Sequence, residues 1–233
     1  MRSLLFRVLT LSMVGMGTLP AARAIPEAEA LEKLRVIPVH LLVDAKGVPF
    51  PIPRNQSLLL PLYLDRQRAV AELRQVRTRY PSLRVELATL PLSEANGIVA
   101  GLKKDLKPGY TLSAPVVPRR QDLDMAATLL RQQGLADRQI RQGLTVPVFY
   151  ARPFLTTSTP QGERGLLFLS YEDLRNALAR QSGSPARRVE VADITAVLRR
   201  LTRTPQDLFV FHAPQAGGAS KRERQAPPPP PPL

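Results

Sequence analysis

The stretch LTVPVFYARPFLTT (144–157) places a proline inside an apolar, β-branched run, followed by tyrosine, arginine and a second proline. The run is far shorter than the ~20 apolar residues of a membrane-spanning helix, and Arg152 interrupts it, so it predicts a β-strand. Alternate side chains of a strand point to opposite faces, which puts Val148 with Tyr150 and Phe149 with Ala151. Both faces are apolar. Either helices cover both of them, or one face is a groove that accepts apolar polypeptide.

The pattern of this stretch recurs earlier in the chain. Three pairs of segments match in the same order, at offsets of 104 to 109 residues: VIPVHLL (36–42) with TVPVFYA (145–151), LPLYLDRQRAVAEL (60–73) with GLLFLSYEDLRNAL (165–178), and VELATL (85–90) with VEVADI (189–194). We interpret them as a duplicated strand-strand-helix-strand-helix unit, at about 25–110 and 111–212. Each unit alone would bury little surface, so we expect one α+β domain over 25–212, with apolar pockets or grooves.

Helices are predicted where apolar residues recur at helical spacing. One predicted helix, ended by Pro81, buries a face made of Ala69, Leu73, Val76 and Tyr80. Further helices are predicted to begin at capping residues, whose side chains accept a hydrogen bond from the first turn: Ser93, Asp122 and Ser170.

The two ends of the chain differ from the region between them. Residues 1–24 have the layout of a secretory signal peptide, with arginines, a short apolar run and a small-x-small cleavage site. Residues 213–233 are basic, end in six prolines and a leucine, and have too little apolar content to fold, so they predict a disordered tail. We expect an exported protein, in a bacterial periplasm or a lumen.

Composition excludes several kinds of active site. The chain has no cysteine, and its two histidines, His40 and His212, lie far apart in sequence. Thiolate chemistry is therefore excluded, and a multi-histidine metal site is not expected. No serine-hydrolase elbow, phosphate-binding glycine loop or zinc-peptidase helix occurs. His40 lies in an apolar strand, which favours a hydrogen-bonded core or edge residue over a catalytic base. We expect no enzyme activity, cofactor or metal.

The chain is strongly basic. Its net charge is +14, and +11 once the three arginines of the predicted signal peptide are removed. The excess is arginine spread along the chain, which is typical of solvated faces and also of attraction to anionic membranes or acidic clients. Nucleic acid is not an expected partner, because export removes it and no recognition motif is present.

Binding is the remaining class of function, and its candidates are aromatic. Most of the aromatic residues cluster around the matched strands of the second unit. The candidates for an apolar groove are Tyr63, Phe149, Tyr150, Phe154, Phe168 and Tyr171. The alternative interpretation is that these side chains fill the core.

Several of these segments resemble a known family. LEKLRVIPVHLLVDAKGVPFPIP, LPLYLDRQRAVAEL, GLTVPVFYARPFLTT and LLFLSYEDLRNAL are similar to the Tic22-like family, the soluble twenty-two-kilodalton component of the chloroplast inner-envelope translocon and its cyanobacterial relatives. The resemblance runs from about residue 27 to 201. It implies a non-enzymatic α+β fold with pseudo-two-fold halves, and a chaperone-like role for precursor polypeptides. In cyanobacteria it implies the periplasm or thylakoid lumen, and outer-membrane protein biogenesis with the barrel-assembly machinery.

Two functional hypotheses follow. The first is a periplasmic chaperone-like or translocation factor that shields apolar segments of unfolded precursor proteins. The second is a basic scaffold protein that contacts an anionic membrane surface through its charge.

Overall fold

The computed structural model describes residues 26–181, 187–203 and 208–213. The predicted signal peptide lies outside these residues, and so does the tail from residue 214 onward. No helix in the described part is both long and apolar enough to cross a membrane.

Helices and short strands alternate along the chain. The first half contains α1 (Glu27–Glu32), a 3-10 helix (Lys33–Val36), β1 (Pro38–Asp44), β2 (Ile52–Arg54), β3 (Ser57–Leu59), β4 (Leu62–Tyr63), α2 (Arg66–Arg79), β5 (Val85–Pro91), α3 (Leu92–Lys104), β6 (Thr111–Ser113) and β7 (Val116–Val117). The second half contains α4 (Arg120–Gln132), α5 (Asp137–Gly143), β8 (Pro147–Arg152), β9 (Thr156–Thr159), β10 (Gly162–Leu167), α6 (Tyr171–Ala179), β11 (Arg188–Asp193), α7 (Ile194–Leu201) and β12 (Phe209–Phe211). The predicted α+β class is confirmed.

Strands at matching places in the two halves pair in the same way. In the first half, β1 pairs antiparallel with β5, and with β4 at His40 opposite Tyr63. In the second half, β8 pairs antiparallel with β11, and Phe149 bridges Phe168 just after β10. A later strand runs parallel to the inner one in each half, β7 beside β4 and β12 beside β10. The segments matched by sequence therefore occupy equivalent places.

The two halves share one core. It contains inner-face residues of both, including Leu41 and Val148, together with side chains from α1, α3 and α7. Helix α2 covers the outer face of the first half, around Leu42. Helices α4, α5 and α6 cover the outer face of the second half, around Phe149. Apolar strands thus have a covered face on each side, which explains why both faces of β8 are apolar.

One of the three predicted helix caps is confirmed and two are wrong. Ser170 caps α6 as predicted, since its Oγ accepts from Asp173 N at 3.2 Å. Two predicted caps are wrong, because α3 begins at Leu92, ahead of Ser93, and α4 begins at Arg120, ahead of Asp122. The predicted burial of Tyr80 is also wrong, since this residue follows the last turn of α2 and is exposed.

Candidate functional site

A cavity opens where β8 leaves the shared core. Its volume is about 190 Å³, and its walls come from the strands of the second half and from α7. The lining is mainly apolar and consists of Tyr150, Arg152, Phe154, Leu167, Ala192, Ala196, Val197, Arg200, Leu201 and Phe209. Ala196 and Arg200 are exposed, so the cavity reaches the surface. A dry apolar cavity of about 150 Å³ is large enough to bind benzene, so this one can hold an aromatic or branched aliphatic side chain.

Alternation along β8 decides which side chains reach the cavity. Phe149 and Ala151 point to the outer face, where both are buried beneath helices. Tyr150 and Arg152 point to the inner face and line the cavity. The outer face of β8 is therefore covered by helices, and the face that carries Tyr150 is open at the Arg152 end of the strand.

Three aromatic rings and one guanidinium form a continuous surface in this cavity. Tyr150 stacks on Phe154 with ring centroids 5.4 Å apart, and Phe154 contacts Phe209 at 4.8 Å. The Arg152 guanidinium carbon lies 4.4 Å from the centroid of the Phe154 ring and 5.4 Å from that of Tyr150. These are distances at which a cation is attracted to a ring face. The cation thus helps to fix the rings.

Gly165 makes room for two of these rings. It lies opposite Phe209 in the β10–β12 ladder. A Cβ atom placed on Gly165 would lie 2.9 Å from Phe209 Cδ1 and 3.3 Å from Phe154 Cγ. Carbon atoms pack best at ~3.5–4.0 Å, so a side chain here would displace the rings.

The β8 end of the cavity is polar. Arg152 Nε lies 3.4 Å from Glu190 Oε2, and both side chains are partly exposed. Burial, and next the nearby Glu190 carboxylate, raise the pKa of Tyr150, so its hydroxyl stays protonated at neutral pH. A hydroxyl, a guanidinium and a carboxylate thus adjoin an apolar surface. This combination suits a polypeptide segment, whose apolar side chain enters the cavity while its backbone stays hydrogen-bonded at the rim.

The structure separates the six aromatic candidates. Tyr150 and Phe154 line the cavity. Phe149 and Phe168 are only 0% and 1% exposed, within the outer-face core of the second half. Tyr63 is buried at the position in the first half that matches Phe168. Tyr171 packs edge-on against Phe149, with ring centroids 5.6 Å apart. The core interpretation describes these last four residues.

Sequence reasoning missed part of the lining. Phe209, Ala192 and Arg200 line the cavity and were not predicted as site residues. Phe209 reaches the cavity through parallel pairing with β10, more than 40 residues earlier in the chain. The available signal was Gly165, whose missing side chain in an apolar strand indicates a close approach by another group.

The matching positions in the first half are filled. Leu41 stands where the second half has Tyr150, Val43 where it has Arg152, and Leu62 where it has Leu167. All three are buried in the shared core. The cavity is therefore a property of the second half and does not follow from the fold alone.

Other titratable side chains with shifted pKa values make structural bonds. Burial lowers the pKa of His40, whose Nδ1 lies 2.8 Å from Thr89 Oγ1, so the predicted hydrogen-bonded role is confirmed. Burial raises the pKa of Asp122, which accepts from Tyr171 N at 3.0 Å and so joins α4 to α6. Burial raises the pKa of Asp193 too, but hydrogen bonds from two threonines outweigh it and the net shift is downward. Groups of three or more metal-ligating side chains are absent from the described ranges.

Comparison with solved structures identifies the architecture. A structure described as Anabaena Tic22 (protein transport) matches with a TM-score of 0.65 at 24% identity, covering 88% of this chain and 100% of that one. This chain has the Tic22 fold. Tic22 from Plasmodium falciparum matches with a TM-score of 0.63 at 19% identity, covering 79% of this chain and 91% of the other. The predicted resemblance to Tic22 is thus confirmed at the level of the fold. No family model and no curated protein sequence matches this chain.

Proposed function

We propose that this protein is a non-enzymatic transport factor that binds unfolded precursor polypeptides and shields their apolar segments. The observation that carries the proposal is the open cavity lined by Tyr150, Phe154 and Phe209. Its volume suits one large apolar side chain, and its polar end can hydrogen-bond the adjoining backbone. The Tic22 fold supports the same role, because one of the matching structures is described as a protein of transport.

The compartment and the clients belong to this proposal. The signal-like residues 1–24 favour export to the periplasm or the thylakoid lumen. We propose that the clients are precursors of outer-membrane β-barrels, delivered to the barrel-assembly machinery. Such precursors expose alternating apolar residues, and one of these side chains would occupy the cavity at a time.

An aggregation assay tests the proposal. An outer-membrane barrel protein unfolded in urea is diluted into buffer, with or without this protein lacking its predicted signal peptide (residues 25–233), and light scattering is followed. We expect severalfold excess to suppress scattering. A variant with Ala192→Leu fills the cavity and should suppress it less, whereas Ala71→Leu adds the same atoms on the exposed side of α2 and should behave like the parent. Unchanged scattering in the presence of the parent protein would contradict the proposal.

A second function is favoured by α2. This helix exposes Arg66, Arg68, Arg74 and Arg79 and has Glu72 as its single acid. None of the four arginines forms an ion pair with an acidic side chain of the described residues. Guanidinium groups bind phosphates bidentately, so the exposed side of α2 is suited to an anionic membrane surface.

Vesicle sedimentation separates the two functions. Vesicles that contain phosphatidylglycerol should bind the protein at low salt and release it at high salt if α2 carries the interaction. A variant with Arg68→Gln and Arg74→Gln should bind the vesicles more weakly and still suppress aggregation. Binding that does not change with salt would contradict a charge-driven membrane role.

A further inference from the structure

Strand β5 forms an outer edge of the first-half sheet. The order of that sheet is β5-β1-β4-β7, so within the described ranges β5 has a strand neighbour on one side only. Its seven pairs with β1 run in unbroken register, without a bulge. Helices α2 and α3 pack on the two faces of this sheet. In the described ranges no strand pairs with the outer edge of β5.

The outward backbone groups of β5 belong to Leu87 and Thr89. Leu92 N donates to Ile37 O at 2.8 Å, which fixes where the hydrogen-bonded pairs of the ladder fall. Hydrogen-bonded and non-hydrogen-bonded pairs alternate in an antiparallel ladder. The N–H and C=O groups of Leu87 and Thr89 therefore point away from β1, and two donors and two acceptors line the edge.

The backbone positions on either side of Leu87 and Thr89 cannot pair with an added strand in the same way. At one end, the outward carbonyl of Val85 accepts two hydrogen bonds from Arg77, from Nε at 3.0 Å and from Nη2 at 2.7 Å. At the other end, Pro91 has no N–H to offer. The register of any strand that pairs here is thus limited to the residues between them.

The side chains near the edge indicate the charge of a partner. Natural edge strands are usually protected by lysines, prolines, inward charges or bulges, and none of these occurs over residues 87–90 of β5. A surface hollow of about 350 Å³ lies at the Val85 end, lined by Arg77, Pro81, Leu83, Arg84, Val85 and Glu86. Arg84 and the nearby Arg79 are exposed. An acidic side chain on a paired strand would be attracted to these arginines at the Val85 end.

We propose that the β5 edge binds an extended segment of a client polypeptide as an added strand, with acidic residues of that segment toward the Val85 end. This inference rests on the proposed function. It adds a second site, which binds the backbone of the client, to the cavity, which binds one of its side chains. Main-chain hydrogen bonds are independent of sequence, so such an edge accepts many different strand-forming clients.

Residue-resolved amide hydrogen exchange of the protein tests this site. The probe is a synthetic peptide of alternating valine and threonine with two glutamates at its C-terminal end, and its binding is also followed by fluorescence anisotropy. In the free protein, the amides of Leu87 and Thr89 should exchange fast and those of Ala88 and Leu90 slowly. With the peptide, exchange at Leu87 and Thr89 should slow at least severalfold.

Paired variants and peptides serve as controls. Thr89→Pro removes an outward N–H and should weaken peptide binding about 2- to 10-fold, the effect of one hydrogen bond. Thr89→Ala keeps that N–H and loses only the bond to His40, so it should bind like the parent. A peptide with lysines in place of the glutamates should bind more weakly.

Three outcomes would overturn the inference. If the peptide binds while exchange at Leu87 and Thr89 stays fast, the edge is not the site, and the function proposed from the cavity still stands. If these two amides are already protected in the free protein, another part of the chain or a second copy covers the edge. Absence of any binding, by anisotropy as well as by exchange, would overturn the edge site and leave the aggregation assay to decide the proposed function.

Discussion

Replacement of Gly165 by alanine tests how the aromatic surface is held. A new Cβ would lie 2.9 Å from Phe209 Cδ1 and 3.3 Å from Phe154 Cγ, closer than optimal contact by about 0.2–1.1 Å. The backbone of Gly165 is outside the left-handed region, so the strain comes from contact alone. Overpacking of this kind costs about 1–3 kcal/mol. The Phe209 ring is only half-buried, and its easiest movement is toward the cavity, which would shrink.

Urea unfolding and peptide binding measure the two consequences of Gly165→Ala. We expect a loss of about 1–3 kcal/mol in the free energy of unfolding, or about 2–12 °C in Tm, and weaker binding of peptides with an aromatic residue. A double-mutant cycle with Phe209→Leu supplies the control, because removing part of the ring should relieve the contact. The coupling energy between the two sites should exceed about 0.5 kcal/mol. Strict additivity of the two substitutions would refute the reasoning.

Ala192, Asp193 and His40 provide further predictions. Ala192→Leu should weaken binding of an aromatic peptide about 10- to 150-fold in anisotropy, the equivalent of one buried apolar side chain, ~1.5–3 kcal/mol; equal affinity would contradict the site. Asp193→Ala removes the cap of α7 and bonds from Thr145 at 2.6 and 2.7 Å, so urea unfolding should show a loss of about 2–4 kcal/mol. The pKa of Asp193 is lowered on folding, so its contribution is present above pH ~3.8 and is lost below it, and Asp193→Asn should reduce this dependence. The pKa of His40 is lowered on folding, so the unfolded chain binds more protons at this residue below pH ~6.5. The free energy of unfolding should therefore fall as the pH decreases from there. A His40→Gln variant should lack this component in urea unfolding measured at several pH values.

Local sequence patterns predicted elements better than contacts between them. Ser170 identified the start of α6, because a cap is formed within one turn. Asp122 shows the limit of that reasoning. It was predicted as a cap, yet its carboxylate accepts from the backbone of Tyr171, 49 residues away. A short polar side chain ahead of an apolar helix has the same local pattern in both roles.

The opening stretch was predicted as a strand and its faces were assigned, but the sequence left open which face was exposed. That depended on α5, a seven-residue helix that was not predicted and that buries Ile140 beside Phe149. It depended also on Phe209, which joins Phe154 only when β12 pairs with β10. Neither contact leaves a periodic signal, since both join segments that are distant in the chain. Matching the two halves was more informative, because the structure pairs the matched residues in the same way: Phe149 lies opposite Phe168 as His40 lies opposite Tyr63.

The two halves build equivalent strands and use them differently. On β8, Tyr150 and Arg152 are too large and too polar to enter the shared core, so they end at the cavity. At the matching places of β1, Leu41 and Val43 are small enough to be buried, and the first half is closed there. The first half instead has an edge strand, β5, with outward backbone groups. We propose that the cavity binds a side chain and the edge an extended backbone, so loss of one should weaken the binding of a strand-forming client without abolishing it. Loss of both should abolish it, and that combination separates two sites on one client from two unrelated surfaces.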